Sequence, residues 1–299
     1  MAVISRNFNR IIDLTLYLEN GDEYHIYCPK HGRKPSIEIT GNYTTENYLP
    51  AFNVTVKNLY LELKDQKYTR LKVKAGYAEG SSDVFEGSIL SLYQESPGPE
   101  GRTVIQCMMG QVQSWLDESV QMNYDAGTSL EVLLSDLQKA LHTTGVRTGQ
   151  TDAKNLQLKE RFEWDGPARG AIGKLRKEFE DEKLCVFVRN NYLCAVCMPG
   201  NDNVQAHKLE FLSAPTQSNV GGAEGSYYTT VTAPWNPELR IGDLLRIPSK
   251  TYIKNYGLVG GESNEQTIQV TTLSFHFATT GSANSMTVQG FLVTKKGAK

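Results

Sequence analysis

The chain is poor in cysteine, in histidine and in long apolar runs, and each shortage closes a class of explanation. Five cysteines among 299 residues are an odd count at low density. That does not build a disulfide framework and fits synthesis inside a cell. No apolar run approaches the roughly 18–20 residues that a bilayer-spanning helix needs. Met1 to Asn9 is polar and lacks the apolar centre of a secretory signal, so Asn42-Tyr43-Thr44 and Asn53-Val54-Thr55 read as chance matches to the glycosylation pattern. Neither sign of charge dominates: Lys plus Arg is 31, Asp plus Glu is 33, and the formal net charge is −2. Such a chain has no general attraction for nucleic acid or an anionic membrane.

Catalytic signatures are also missing. There is no Gly-x-Ser-x-Gly elbow, no Walker loop and no Gly-x-Gly-x-x-Gly. The glycine-rich stretches Gly221 to Gly225 and Gly257 to Gly261 do not open helices, so they lack the dipole that holds phosphate. The histidines, His25, His31, His142, His207 and His276, are scattered singly. The densest acidic cluster, Glu178, Glu180, Asp181 and Glu182, lies beside Lys174, Arg176 and Lys177 and reads as a solvated helix face rather than a glycosidase pair. Cys194-Ala195-Val196-Cys197 has zinc-ligand spacing, with Cys28 and His31 as a candidate second pair. Against that, Cys194 and Cys197 sit in an apolar strand-like run with Cys185 in the facing run, and positions three apart on a strand leave opposite faces. The reading is therefore no catalytic residue, no cofactor and no metal, with these four residues as the metal candidates.

What the chain does have is strand signal. Hydrophobic residues are 39% and charged residues 21%, a globular composition, and the length suits two or three modest domains. Ile11 to Leu18 alternates, Asn20-Gly21-Asp22 marks a hairpin, and Glu23 to Tyr27 returns. Ser36 to Thr40, Phe52 to Val56 and Tyr60 to Leu63 follow. Arg70 to Ala75 alternates charge and apolar side chains, as a strand with one wet face does. Val84 to Tyr93 is a strand whose internal Gly87 predicts a bulge or bend. Ser96 to Gly101 is a turn and Thr103 to Met108 one more strand.

The period then changes. Leu130, Leu133, Leu134, Leu137 and Leu141 fall at helical spacing behind a predicted capping box, Thr128 to Glu131, with Gly145 as the stop. A second helix starts near Pro167 and carries Ile172, Leu175 and Phe179 on one face. Leu184 to Val188 and Tyr192 to Cys197 form a hairpin across Asn190-Asn191. Strands resume with Lys208 to Leu212 and Tyr227 to Thr232, then a structured turn at Pro234 to Asp243, then Leu244 to Ile247, Gln266 to Phe277 and Ser285 to Val293. The fold class expected is mainly β with an α+β middle segment. The expected division is a β domain over 1–114, an α+β domain over 115–205 and a second β domain over 206–299.

The order of several motifs resembles the baseplate hub proteins of bacteriophage tails and related contractile injection systems. They are Val54 to Leu59, the Arg70 to Tyr77 strand ending Ala-Gly-Tyr, the Val84 to Ile89 strand with its Phe-x-Gly-x-Ile, and Thr103 to Cys107. The capping-box helix and Pro234 to Ile247, with Ile241-Gly242-Asp243, keep the same order. This resemblance covers most of the chain. It implies two tail-tube-like β barrels flanking the helical middle and a homotrimer making a ring of six similar domains. The implied partners are the tail tube protein, the central spike protein and other baseplate proteins, with no membrane and with DNA only passing through the lumen. The implied location is the virion tail, assembled in the host cytoplasm. Two other functions are open at this stage: a host-surface carbohydrate-binding module, using Trp115, Trp164 and Trp235, and a tail-associated cell-wall hydrolase acting through Glu178.

Overall fold

The structure is a computed structural model. It describes residues 9–28, 35–44, 51–59, 61, 66–77, 80–95, 101–109, 118–148, 152–190, 192–197, 206–209, 216–219, 227–248 and 265–292. The first third contains β1 (Arg10–Leu18), β2 (Glu23–Ile26), β3 (Ile37–Thr44), β4 (Ala51–Lys57), β5 (Tyr68–Tyr77), β6 (Gly80–Glu95) and β7 (Arg102–Met109). The middle contains β8 (Ser119–Tyr124), α1 (Leu130–Ala140), β9 (Gly145–Arg147), β10 (Phe162–Pro167), α2 (Ala168–Glu178), β11 (Leu184–Arg189) and β12 (Tyr192–Cys197). The last third contains β13 (His207–Lys208), β14 (Thr216–Asn219), β15 (Tyr227–Ala233), β16 (Leu244–Pro248), β17 (Glu265–Ala278) and β18 (Asn284–Leu292).

Local chemistry explains the first strands. Gly21 takes φ 91 in the turn between β1 and β2, and the Asp22 backbone N–H donates to Asn20 Oδ1 at 3.0 Å. An Asn-Gly pair supplies this geometry at little steric cost. In β5, Leu71, Val73 and Ala75 are fully buried. The alternate cations point outward to β6, with Arg70 at 3.6 Å from Glu86 and Lys72 at 3.3 Å from Asp83. Gly87 itself pairs in register with Leu71, and a bulge falls three residues further along β6. The register of β6 against β7 shifts between Ile89 and Ser91, and Leu90, left out of the ladder, is 52% exposed.

The two β-rich ends of the chain share one sheet. Its 13 strands run in the order β14-β15-β18-β17-β3-β4-β7-β6-β5-β1-β2, with β16 pairing β17 and β13 pairing β16. No closed barrel forms among the described residues. The joint between the ends is β17, 14 residues long: its first half pairs with β16, while Thr272 to Ala278 pair with β3. A single large core follows from this pairing. It contains Ile12, Phe52, Phe85 and Ile105 from one end and Trp235, Ile247, Phe275 and Val288 from the other. Aromatic packing concentrates at the joint, where Phe275 lies 5.5 Å from Tyr43, 6.0 Å from Phe52 and 5.6 Å from Trp235, ring centre to ring centre. Tyr77, from β5, donates its hydroxyl to the Trp235 carbonyl oxygen at 2.8 Å.

The middle segment has its own core, built from α1, α2, β8, β10 and the inner faces of β11 and β12. Both predicted helices form, and Leu130, Leu133, Leu134 and Leu137 are buried as the spacing requires. The start and stop of α1 differ from the sequence reading. Ser129 is the N-cap, without a side-chain cap, and the Thr128 hydroxyl donates to the Asp125 carbonyl oxygen at 2.7 Å instead. The Leu156 carbonyl oxygen takes the Leu130 N–H at 2.8 Å, so tertiary backbone does the work expected of the capping box. The helix ends before Gly145, at His142 with φ 48, and Gly145 opens β9. Strands β8, β9, β10 and β14 are absent from the sequence reading, although β8 (Ser119–Tyr124) buries Val120 and Met122 on alternate positions. Of Tyr60 to Leu63 only Leu61 is described, buried outside any strand.

Candidate functional site

The hairpin of β11 and β12 is a wall between the two cores. Along β11, Val186 and Val188 face the helical core while Phe187 faces the large one; along β12, Leu193 and Ala195 face the helical core while Val196 faces the large one. A hairpin buried on both faces needs a nearly continuous apolar run, which accounts for the run that surrounds the cysteines. Cys194 packs against the large core and Cys197 against the helical one. Cys185 pairs with Val196, and Cys194 and Cys197 pair with Phe187 and Leu184. Cys28 is buried at the far end of β1, its N–H donating to Asp13 Oδ1 at 2.7 Å, and His31 lies outside the described residues. No group of three or more metal-ligating side chains occurs among the described residues.

The open end of this wall forms a cavity of about 200 Å³. Three arginines from three elements line it: Arg147 at the end of β9, Arg189 at the end of β11 and Arg240 in the turn before β16. Asn190, Cys194 and Asp243 complete its polar lining. The turn geometry places these groups. Asn190 takes φ 45 at the hairpin tip, and Gly242 takes φ 88, a left-handed conformation that glycine adopts without strain. A Cβ at Gly242 would also meet Val196 Cγ1 at 3.1 Å. Gln269, fully buried on β17, ties the cavity floor together by donating to the Cys197 and Gly242 carbonyl oxygens, each at 3.2 Å.

The electrostatics favour an anion. Arg189 stands 5.7 Å from the Tyr43 ring centre, and burial pulls its guanidinium below the ordinary arginine range. Arg147 stacks over the Tyr192 ring at 3.6 Å. Burial pushes the Cys194 thiol up to about 11, so it stays neutral and does not offset the arginines. Asp243 is the one acidic group in the lining among the described residues, and it is engaged by the Arg240 N–H at 2.7 Å and by His207 Nε2 at 3.3 Å.

His207 makes this region pH-sensitive. Its pKa is raised above 6.5, first by the hydrogen bond to Asp243 and then by the charges of Asp243 and Glu238, against burial and Arg240. A histidine raised on folding contributes stability that is full below its unfolded value and lost as pH rises through the folded one. The melting-temperature advantage of the native chain over His207→Gln is therefore expected to be largest below about pH 6.5 and to decline as pH rises above it. A difference that grows with pH would exclude the pairing.

The other sequence candidates have structural surroundings. Trp235 is 3% exposed in the large core. Trp164 donates its indole N–H to the Pro167 carbonyl oxygen at 3.1 Å and packs against Gly170. Trp115 lies outside the described residues. Glu178 Oε1 accepts the Lys159 backbone N–H at 3.3 Å, and the Lys159 ammonium lies 3.3 Å from both Asp181 and Glu182. This acidic group is a surface ion cluster around one lysine. The sheet also presents open edges and surface aromatics. Edge strand β2 is four residues long, and Tyr27 beside it is 67% exposed and stacked on His25. Tyr93, near the Leu90 bulge, is 39% exposed.

Solved tail proteins share this fold, two of them from prophages. The particular likenesses extend over nearly the whole chain. A tail protein from Neisseria meningitidis superposes with TM-score 0.59 and 7% identity over 95% of this chain and 97% of that one. The 43 kDa tail protein of prophage MuSo2 from Shewanella oneidensis gives TM-score 0.56 and 12% identity over 94% and 96%. An E. coli type VI secretion component, described as structurally similar to the T4 tail proteins gp27 and gp5, gives TM-score 0.53 and 9% identity over 89% and 76%. No protein-family model and no curated protein sequence matches this chain.

Proposed function

We propose that this chain is the structural hub of a phage-type tail baseplate, without enzymatic activity. Three copies form a ring in which the two β lobes of each chain, within 1–114 and 206–299, act as six similar units around a lumen. The six-fold tail tube stacks on one face, the three-fold spike attaches at the other, and DNA passes through. The helical segment, 115–205, sits at the periphery. Its place is the virion tail, after assembly in the host cytoplasm.

The observation that carries this reading is the β17–β3 joint. It welds the β strands from the two ends of one chain into a continuous antiparallel sheet, and a rigid weld within the subunit is what a ring of paired lobes requires. The near-complete overlap with whole tail proteins supports it, as does the likeness to a type VI secretion component. Open edge strands support it too, because an unpaired edge is a template for a neighbouring chain. Closed point-group assembly then leaves no edge free.

Light scattering is expected to give three times the chain mass for the purified chain alone, and that mass plus one spike trimer when the cognate spike protein is added. Negative-stain images are expected to show a three-fold ring with six lobes. A monomer under both conditions, with no ring in the images, would reject the hub.

A further inference from the structure

The cavity at the tip of the β11–β12 hairpin carries more positive charge than the fold needs. Arg147, Arg189 and Arg240 line it, against Asp243 alone. Arg147 and Arg240 are exposed, so their charge reaches solvent at no desolvation cost. Arg189 differs. Its Nη1 is sealed from solvent and has no hydrogen-bond partner among the described residues. A guanidinium donor left buried and unpaired costs more than an ordinary missing hydrogen bond, and unsatisfied buried groups are rare enough in native proteins to require an explanation.

A second orphan adjoins it. Asn190 donates its amide to the Asp83 carbonyl oxygen at 3.2 Å, but its Oδ1 is buried without a partner among the described residues. The two orphans are of opposite kind: Arg189 Nη1 needs an acceptor and Asn190 Oδ1 needs a donor. They are adjacent in sequence and both line the same cavity. A simple anion such as chloride satisfies the first and not the second. A carboxylate with an N–H beside it satisfies both. Guanidinium groups are the side chains best suited to a carboxylate, because their planar fork matches its two oxygens. A cavity of about 200 Å³ has room for one carboxylate and its attached residue.

We propose that this cavity captures a carboxylate bearing an adjacent N–H, the chemistry shared by the free C-terminus of a protein segment and by a small acylated amino acid. Arg189 and Arg240 hold the carboxylate, and Asn190 Oδ1 accepts the N–H. Arg147 adds charge at the mouth, while its stacking on Tyr192 holds that wall in place. Main-chain carboxylate capture of this kind is a recurrent mode of peptide recognition. The site needs one chain only, so its test does not depend on ring assembly.

Isothermal titration calorimetry on the full chain separates the outcomes. The probes are tetra-alanine with a free C-terminus, the same peptide amidated, and N-acetylalanine. The free-acid peptide is expected to bind, and the amidated one at least tenfold more weakly. Arg189→Gln is expected to reduce free-acid binding at least tenfold. Arg240→Gln and Arg147→Gln, both at exposed positions, are expected to reduce it severalfold in a chain that folds normally. N-acetylalanine binding as tightly as the peptide would assign the site to a small acid; the peptide binding more tightly would assign it to a chain terminus. Equal affinity for the amidated peptide, unchanged affinity in Arg240→Gln and Arg147→Gln, or no heat from any probe would overturn the proposal.

Discussion

Phe275→Ala is expected to lower the folding free energy by about 4 kcal/mol, read from the shift of a urea denaturation midpoint. The residue is 6% exposed, and its ring touches aromatic neighbours from three strands or turns. Truncation removes buried apolar area and leaves a cavity that Tyr43, Phe52 and Trp235 are too rigidly placed to fill. Because Phe275 sits on β17 at the joint with β3, the loss falls on the contact that unites the two ends of the chain. A cost below about 1 kcal/mol, within the range of surface substitutions and mild repacking, would show that the joint does not depend on this ring.

The pairing itself offers a sharper test. Phe275 stands directly across from Gly41, and a Cβ at Gly41 would fall 2.5 Å from Phe275 Cζ and 3.3 Å from Phe52 Cδ2. The ring fills the space that a side chain at position 41 would take, a known way of supporting glycine in a sheet. Gly41→Ala is expected to destabilise the native chain. In the Phe275→Ala background the severe clash is gone and only the 3.3 Å approach of Phe52 remains, so alanine should then recover up to about 0.5–1 kcal/mol through its lower unfolded-state entropy. A sign reversal of this kind is a coupling between neighbours; simple additivity would mean that the two residues do not meet.

Gly87→Val is expected to be more severe, with about 3 kcal/mol or more lost and little soluble protein recovered. The reason is close approach rather than backbone conformation. A Cβ at Gly87 would lie 2.2 Å from the Met108 carbonyl oxygen and 2.9 Å from its carbon. Those are backbone atoms in the neighbouring strand, so no side-chain rotation relieves the clash. Strand β6 is also paired on both sides, by β5 and β7, and displacing it disturbs two ladders. Gly80, on the same strand, has open space within 4 Å of its would-be Cβ. Gly80→Ala should therefore fall within about 0.5 kcal/mol of the native chain. Equal tolerance at both positions would refute the close approach.

The sequence resolves these elements unevenly, for physical reasons. Strands with one wet and one dry face announce themselves, because alternation is a direct imprint of a half-buried pleat: β1, β5 and β17 are readable in this way. Both helices are readable from their leucine and isoleucine spacing, and the hairpin tips from Asn20-Gly21 and Asn190-Asn191. Strands β8, β9 and β10 are not read, because they are short: β9 has three residues, and the alternation of β8 and β10 spans only six each. The capping box failed as a prediction because the Leu156 backbone reaches the helix start first, and a tertiary contact outranks a local motif.

The candidate site was the least readable part. The sequence drew attention to Cys194 and Cys197, whose spacing resembles a metal knuckle, yet strand alternation sends them into different cores. Arg147, Arg189 and Arg240 carry no motif and are separated by 42 and 51 positions along the chain. Only the folded hairpin, set between two cores, brings them to one cavity. The nearest available hint was the Asn190 turn beside Arg189 and the Gly242-Asp243 turn beside Arg240.

The scarcity of cysteine, histidine and long apolar runs, with which the sequence opens, determined what this protein does not display: a disulfide framework, a membrane-spanning helix, a recognisable catalytic motif. Its periodicities determined that it is mainly β with a helical middle. Local pattern reaches no further than one element and its turn. Whether the two β ends stand as separate barrels or join was decided by β17, long enough to serve β16 with one half and β3 with the other. That choice depends on pairing between residues more than 200 positions apart, and such pairing leaves no periodic mark on either partner.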